Sequence, residues 1–402
     1  MPPNAGPAPD NSSPDALDLA RRLIRCPSVT PAEGGALDVL EEVLGGLGFT
    51  CHRLPFSEPG TAEVDNLYAR LGTGGRNFCF AGHTDVVPVG DAMAWRVDPF
   101  GAEVVDGVLY GRGAVDMKGA IACFVAAVAR LIEGRGGDFG GSISLLITGD
   151  EEAEAINGTR KMLTWLAERG EVLDACLVGE PTSNEKLADM IKIGRRGSLN
   201  GRLTVHGTQG HTAYPQLADN PLHHLVRMLD AVASDPLDAG TAHFPPSGLQ
   251  ITTIDVGNKV SNVIPAEARA ALNVRFNDAH DSVAIEAWLR RHFDAAIEAA
   301  PNGKNGARYE FAVRVSGESF LCPPGPLSDL LCRAVETALG RTPELGTTGG
   351  TSDARFIKDY CPIAELGLFN ATAHKIDEHV GLDDLRGLEA VYKAALETYF
   401  EE

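Results

Sequence analysis

The 402-residue chain contains no uninterrupted run of about 18 apolar residues, the length a membrane-spanning helix needs. Positive charge is in the minority. Against 55 Asp and Glu stand only 35 Lys and Arg, which leaves a formal charge of −20. That deficit argues against a protein that grips a phosphate backbone, which needs clustered cations, and no nucleic-acid-binding motif is recognisable. Aromatic residues are sparse, at 6%, yet a hydrophobic fraction of 44% is ordinary for a chain that buries a core. The eight cysteines form no CxxC pair, so no paired-thiolate site is offered. Most lie in apolar runs, as Cys79 and Cys176 do, and read as small buried hydrophobes in a reducing, cytoplasmic setting. Residues 1–13 lack the basic and apolar regions of a secretory signal and read as a short disordered leader.

From residue 17 onward, helix-like and strand-like stretches alternate. Helical periodicity runs over 17–24, 36–47, 117–132 and 159–168, and short apolar runs at 77–81, 142–148 and 175–178 read as buried strands. This alternation predicts an α/β domain with parallel strand pairs. After residue 197 the texture changes to half-buried strands at 199–206, 250–256 and 266–276, with helices over 222–233 and 282–299. Residues 301–307 read as a loop, and helices over 327–339 and 385–399 return to the first texture. The expected architecture is therefore a catalytic domain in two segments, 14–196 and 311–402, interrupted by an α+β domain at 197–310.

Polar residues follow the apolar runs. They are His83 and Asp85 after the first strand, Asp116, the Asp150-Glu151-Glu152 run, Glu180, and His374. Open α/β sheets build their sites outside the carboxyl ends of strands, so these groups are candidates for one site. Imidazole with carboxylate suits zinc, and other divalent ions such as cobalt fit the same donors. Three carboxylates around two dications offset three of four positive charges, and the remainder favours hydroxide over water. Glu151 is available as a general base. Asp85, two residues after His83, is placed to accept the second ring N–H of that imidazole.

At these residues the sequence resembles the M20 family of dinuclear metallohydrolases. The carriers are GHTDVVP (82–88), GRGAVDMKG (111–119), and the GDEE and GEP runs. The resemblance implies a mixed-sheet, zinc-exopeptidase-like catalytic domain with an inserted dimerisation or lid domain. It implies two Zn²⁺ per subunit, with Co²⁺ as a substitute. His83, Asp116 and Glu180 would hold one ion, Asp116, Glu152 and His374 the other, with Glu151 as the base. Small departures from the family pattern are GDEEAEA, VVPVG and Asp377, none of which removes a ligand.

Within the family, GRRGSL (194–199), HGTQGHTAYP (206–215), SNVIP (261–265), GGTSDARFI (349–357) and NATAHKIDE (370–378) resemble the branch acting on N-succinyl-LL-2,6-diaminopimelate. An acidic protein must supply local cations for so anionic a substrate, and Arg195, Arg196 and Arg275 are the candidates. The resemblance favours Arg195 and Arg275. It adds Ser198, Tyr214, Asn262, Gly350, Thr351 and Ser352 as substrate contacts. It also implies a homodimer in which His211 reaches the partner's site and stabilises the oxyanion. His206, His223, His224 and His243 have no motif support and read as structural or surface groups. Another deacylase of the family, such as an N-acetylornithine deacetylase or an aminoacylase, shares every ligand. A non-catalytic member is disfavoured because all five ligands and Glu151 are present.

Overall fold

The computed structural model describes residues 14–135, 137–300 and 308–401. The expected leader and the expected loop at 301–307 lie outside the described residues. The chain divides into two compact units. The first comprises the described residues up to Ile193 together with Cys322–Leu345 and the stretch from Ser352 onward, and the second comprises Gly194–Leu321 and Gly346–Thr351.

The first unit is built on a mixed eight-stranded sheet, Thr50–Arg53, Leu67–Leu71, Ser142–Thr148, Asn77–His83, Ala175–Val178, Ile363–Glu365, Met190–Lys192 and Glu344–Gly346 in spatial order. Its centre is parallel, since Asn77–His83 runs alongside both Ser142–Thr148 and Ala175–Val178, and Ile363–Glu365 follows Ala175–Val178. Those central strands are buried along their whole length and mostly apolar, as burial on both faces requires. The helix Lys118–Arg135 packs against Leu382–Glu401 and Ala16–Ile24. Few aromatics suffice for this core because they cluster. Phe80 stacks on Phe124 with centroids 4.3 Å apart, and Tyr399 meets Phe78 edge-on at 4.9 Å.

In the second unit, the strands Gly248–Asp255, Glu267–Phe276, Gly197–His206 and Arg308–Gly317 form an antiparallel sheet in that order. Gly197–His206 alternates buried and open positions along most of its length, so one face carries Leu199, Leu203 and Val205. Helices Pro221–Ser234 and Ser282–Glu298 pack on each other and on this sheet, and supply Leu225, Met228, Leu229, Ile285, Leu289 and Phe293 to one core. The expected boundary at 310 falls inside a strand. Arg308–Gly317 pairs with Gly197–His206 along its length, so the second unit extends to Leu321. Its alternation is hard to read from sequence because most of its residues are charged or small and only Phe311 is buried.

All eight cysteines are free, with Cys79, Cys123, Cys176 and Cys361 buried and the other four half-buried. No helix among the described residues is long and apolar enough to cross a membrane.

Candidate metal centre

Three parallel strands deliver the site from below. Asn77–His83 ends on His83, the turn after Ser142–Thr148 carries Glu151 and Glu152, and Glu180 follows Ala175–Val178. The acidic turn is compact because Asp150, 4% exposed, accepts from the Asn157 N–H at 2.8 Å and the Thr148 hydroxyl at 3.1 Å. Gly158 is required against it, since a Cβ there would overlap the Asp150 carboxylate and the Thr148 hydroxyl. Asp116 sits just before the helix Lys118–Arg135, and His374 stands on a turn after the short 3₁₀ segment Asn370–Thr372. The His374 backbone is left-handed, with φ +63°.

Asp116 lies between the two histidines. Its Oδ1 is 3.2 Å from His83 Nε2 and its Oδ2 is 3.2 Å from His374 Nε2. Glu180 Oε1 approaches His83 Nε2 at 3.5 Å, and Glu152 Oε1 approaches His374 Nε2 at 3.0 Å. The ligand-capable atoms of His83, Asp116 and Glu152 fall within 4.8 Å of one another, as do those of His83, Glu151 and Glu180. Two imidazole nitrogens facing a shared carboxylate from opposite oxygens, each with a further carboxylate, is a donor set that fits two divalent ions.

Without cations the two imidazoles and Glu151 favour their protonated forms, while Asp116 favours its ionised form. Burial opposes charge on His83, but Asp116 and Glu180 outweigh it and raise its pKa well above the usual range. Asp116 and Glu152 push His374 up to about 10. Burial works to raise the Asp116 pKa, yet the two imidazoles hold it well below the usual carboxylate range. Burial and the neighbouring Glu180 carboxylate push Glu151 well up.

Asp85 meets the second ring nitrogen of His83 through its main chain. His83 Nδ1 donates to the backbone carbonyl of Asp85 at 2.8 Å, and the carboxylate Oδ1 is 3.6 Å away. The carboxylate instead accepts the backbone N–H groups of Glu151 at 3.2 Å and Glu152 at 3.1 Å. One residue thus fixes the imidazole through its main chain and the acidic turn through its side chain. The spacing of two residues suggested the contact but not which oxygen makes it. Burial pushes the Asp85 pKa up to about 7.

The expected substrate residues divide between the two units. Ser352 belongs to the first, where its hydroxyl donates to the buried Glu365 at 2.9 Å, so it braces the loop. In the second, Arg195 is 4% exposed and donates to the Gly350 carbonyl at 3.1 Å. Thr351 is half-buried beside it. Ser198 is buried and accepts from Asn273 at 3.3 Å, and it pairs in register with Arg275. Arg275 donates through Nε to Asn273 at 3.1 Å, while its Nη1 and the Arg196 Nε are buried without a partner. Burial and the neighbouring Arg196 lower the Arg275 pKa.

His211 forms the two-residue strand Gly210–His211 with Val263–Ile264. It is exposed, its Nδ1 accepts the Ala213 N–H at 3.0 Å, and Tyr214 packs edge-on at 5.7 Å. That bond leaves the ring proton on Nε2. Asn262 is exposed, and its carbonyl accepts the Thr212 N–H at 3.1 Å. Of the other histidines, His224 is buried against Asp219 at 2.8 Å.

Fold and donor set together define a metal-dependent hydrolase of the α/β type, and the chain belongs to Peptidase family M20/M25/M40, whose model matches residues 79–398. It is similar to proteins named succinyl-diaminopimelate desuccinylase. It is 62% identical to that of Rhodospirillum centenum over 96% of this chain and 98% of that one. Identity is 58% with that of Parvibaculum lavamentivorans over 98% of each. Among solved structures, an M20 family metallo-carboxypeptidase, Sso-CP2 from Sulfolobus solfataricus, superposes with TM-score 0.76 at 17% identity, covering 96% of this chain and 100% of that one.

Sequence reasoning missed Arg112 and Glu378, which are 2% and 0% exposed and make a buried ion pair of 2.7 Å behind Asp116. A signal was present, because both lie inside the motifs that carry the metal ligands. Nothing in the sequence says that residues 266 apart will meet.

Proposed function

We propose that this protein hydrolyses N-succinyl-LL-2,6-diaminopimelate to succinate and LL-2,6-diaminopimelate, with two zinc ions per subunit and cobalt as a workable substitute. The observation that carries the substrate is the end-to-end similarity, at 62% and 58% identity, to proteins named for removing that succinyl group. The partnerless donors of Arg196 and Arg275 support an anionic substrate independently.

When bound, the two cations supply Lewis acidity that polarises the amide carbonyl and lowers the pKa of water. Glu151 takes the proton from the attacking water and later gives it to the departing amine nitrogen. The carbonyl carbon gains the hydroxyl, the C–N bond breaks, and the carboxylate so formed completes succinate. Asp85 keeps Glu151 in place by holding its backbone N–H. Arg195, Arg275, Ser198, Tyr214, Asn262, Gly350, Thr351 and Ser352 contact the substrate, and His211 Nε2 donates to the oxyanion in the site of a second copy.

The active form in this reading is a cytoplasmic homodimer. Support comes from the edge strand Gly248–Asp255, where Ile254 is 57% exposed, and from Val260 beyond it, 52% exposed. Its other partner is the small-molecule substrate, with neither nucleic acid nor membrane involved. The test of substrate is a panel of succinyl and acetyl amides of diaminopimelate and ornithine under identical zinc. The succinyl compound should show the highest kcat/KM. A preference for acetyl amides would transfer the protein to the N-acetylornithine deacetylase or aminoacylase reading.

A further inference from the structure

We infer that Arg112 and Glu378 form a clamp that assembles the His374 half of the metal centre, an inference that rests on the dinuclear reading above. Glu378 Oε1 accepts two consecutive backbone N–H groups, from Val115 at 3.0 Å and from the bridging residue Asp116 at 3.2 Å. Its Oε2 accepts Arg112 Nη1 at 2.7 Å. Its own carbonyl accepts the Gly111 N–H at 2.9 Å. Arg112 Nη2 reaches the Pro88 carbonyl at 3.2 Å and the His374 carbonyl at 3.5 Å. The guanidinium lies 5.3 Å over the Trp95 ring. One buried pair therefore ties the stretch after His83, the Asp116 turn and the His374 turn to each other.

The ligands do not depend on this clamp equally. His83 is the last residue of a central strand and Glu180 follows another, so strand pairing holds both whatever happens at Arg112. His374 lies on no strand of the large sheet, its backbone is left-handed, and its side chain is half-exposed. The clamp holds its main chain from behind through the Arg112 side chain and four residues later at Glu378. Removing one partner leaves the other buried and uncompensated, the situation in which a buried pair costs most. Arg112 and Glu378 are thus positioning residues, acting through Asp116 and His374 and touching no substrate.

The test is calorimetric titration of metal-free protein with zinc, which needs no substrate. Glu378→Gln and Arg112→Lys should bind the first equivalent within about threefold of wild type and the second at least tenfold more weakly. Adding Glu378→Gln to His374→Ala should then leave the single remaining equivalent unchanged. Near-ultraviolet circular dichroism identifies variants that keep the fold. If Glu378→Gln does not fold, Arg112→Lys, which keeps the buried charge, decides alone. Equal weakening of both equivalents, or no weakening in a folded variant, would overturn the clamp. A wild-type protein that takes up only one zinc would instead refute the dinuclear centre, and the clamp with it.

Discussion

Filling the centre with zinc should expel about two protons per subunit at pH 7.5, with up to a third from Glu151. In the metal-free protein His374 is pushed up to about 10 by Asp116 and Glu152, and His83 is raised well above 6.5 despite its burial. His374 is half-exposed, but a pKa a full unit lower would still leave it almost wholly protonated at pH 7.5. A metal takes only the neutral ring, so each imidazole must give up its proton on binding. Glu151, held up by burial and by Glu180, loses its proton when positive charge enters beside it. The sign follows. Raised imidazole pKa values weaken metal binding as pH falls, by about tenfold per proton and pH unit, or about 1.4 kcal/mol. The product of the two binding constants should drop about 100- to 1,000-fold from pH 8 to pH 7. Calorimetry in buffers of different ionisation enthalpy counts the protons directly, and His374→Ala should release about one fewer. Release of less than one proton at pH 7.5 would mean that the imidazoles are neutral in the metal-free protein, and the electrostatic account of the centre would be wrong.

Three further outcomes are expected. Glu151→Gln should retain two zinc ions by metal analysis and lose about 10²- to 10⁴-fold in kcat, because the base goes while every ligand stays; turnover near wild type would reject the base. His211→Ala should lower kcat without changing zinc content, and heterodimers of His211→Ala with Glu151→Ala subunits should recover activity, since one site then holds both groups; verified heterodimers that stay inactive would count against a role across subunits. Arg275→Met should leave zinc content unchanged and lower kcat/KM for the succinyl substrate about 10- to 100-fold, as loss of a charge-assisted hydrogen bond implies; an unaltered value would remove Arg275 from the substrate contacts.

The central strands were legible because burial on both faces makes them mostly apolar between the turns, with only small or hydrogen-bonded polar residues among them. The runs at 142–148 and 175–178 have the bounds of the observed strands. The flanking strands Met190–Lys192 and Ile363–Glu365 were not legible, being three residues long with a charged residue in each. Arg308–Gly317 escaped for a related reason, and with it the true end of the second unit. The metal ligands were legible as residue types at the ends of apolar runs. Their supports were not, because a buried Arg or Glu looks like any surface charge until the fold shows what surrounds it. Asp85 illustrates the limit, since spacing placed it beside His83 but could not assign its carbonyl to the imidazole and its carboxylate to the Glu151–Glu152 turn.

The most direct measurement is succinate release from N-succinyl-LL-2,6-diaminopimelate by chelator-treated protein as zinc is returned. The account predicts no turnover in the metal-free protein and activity that rises as the first two equivalents bind, then levels. Full activity without metal, or none on this substrate at any zinc level while an acetyl amide is cleaved, would contradict it.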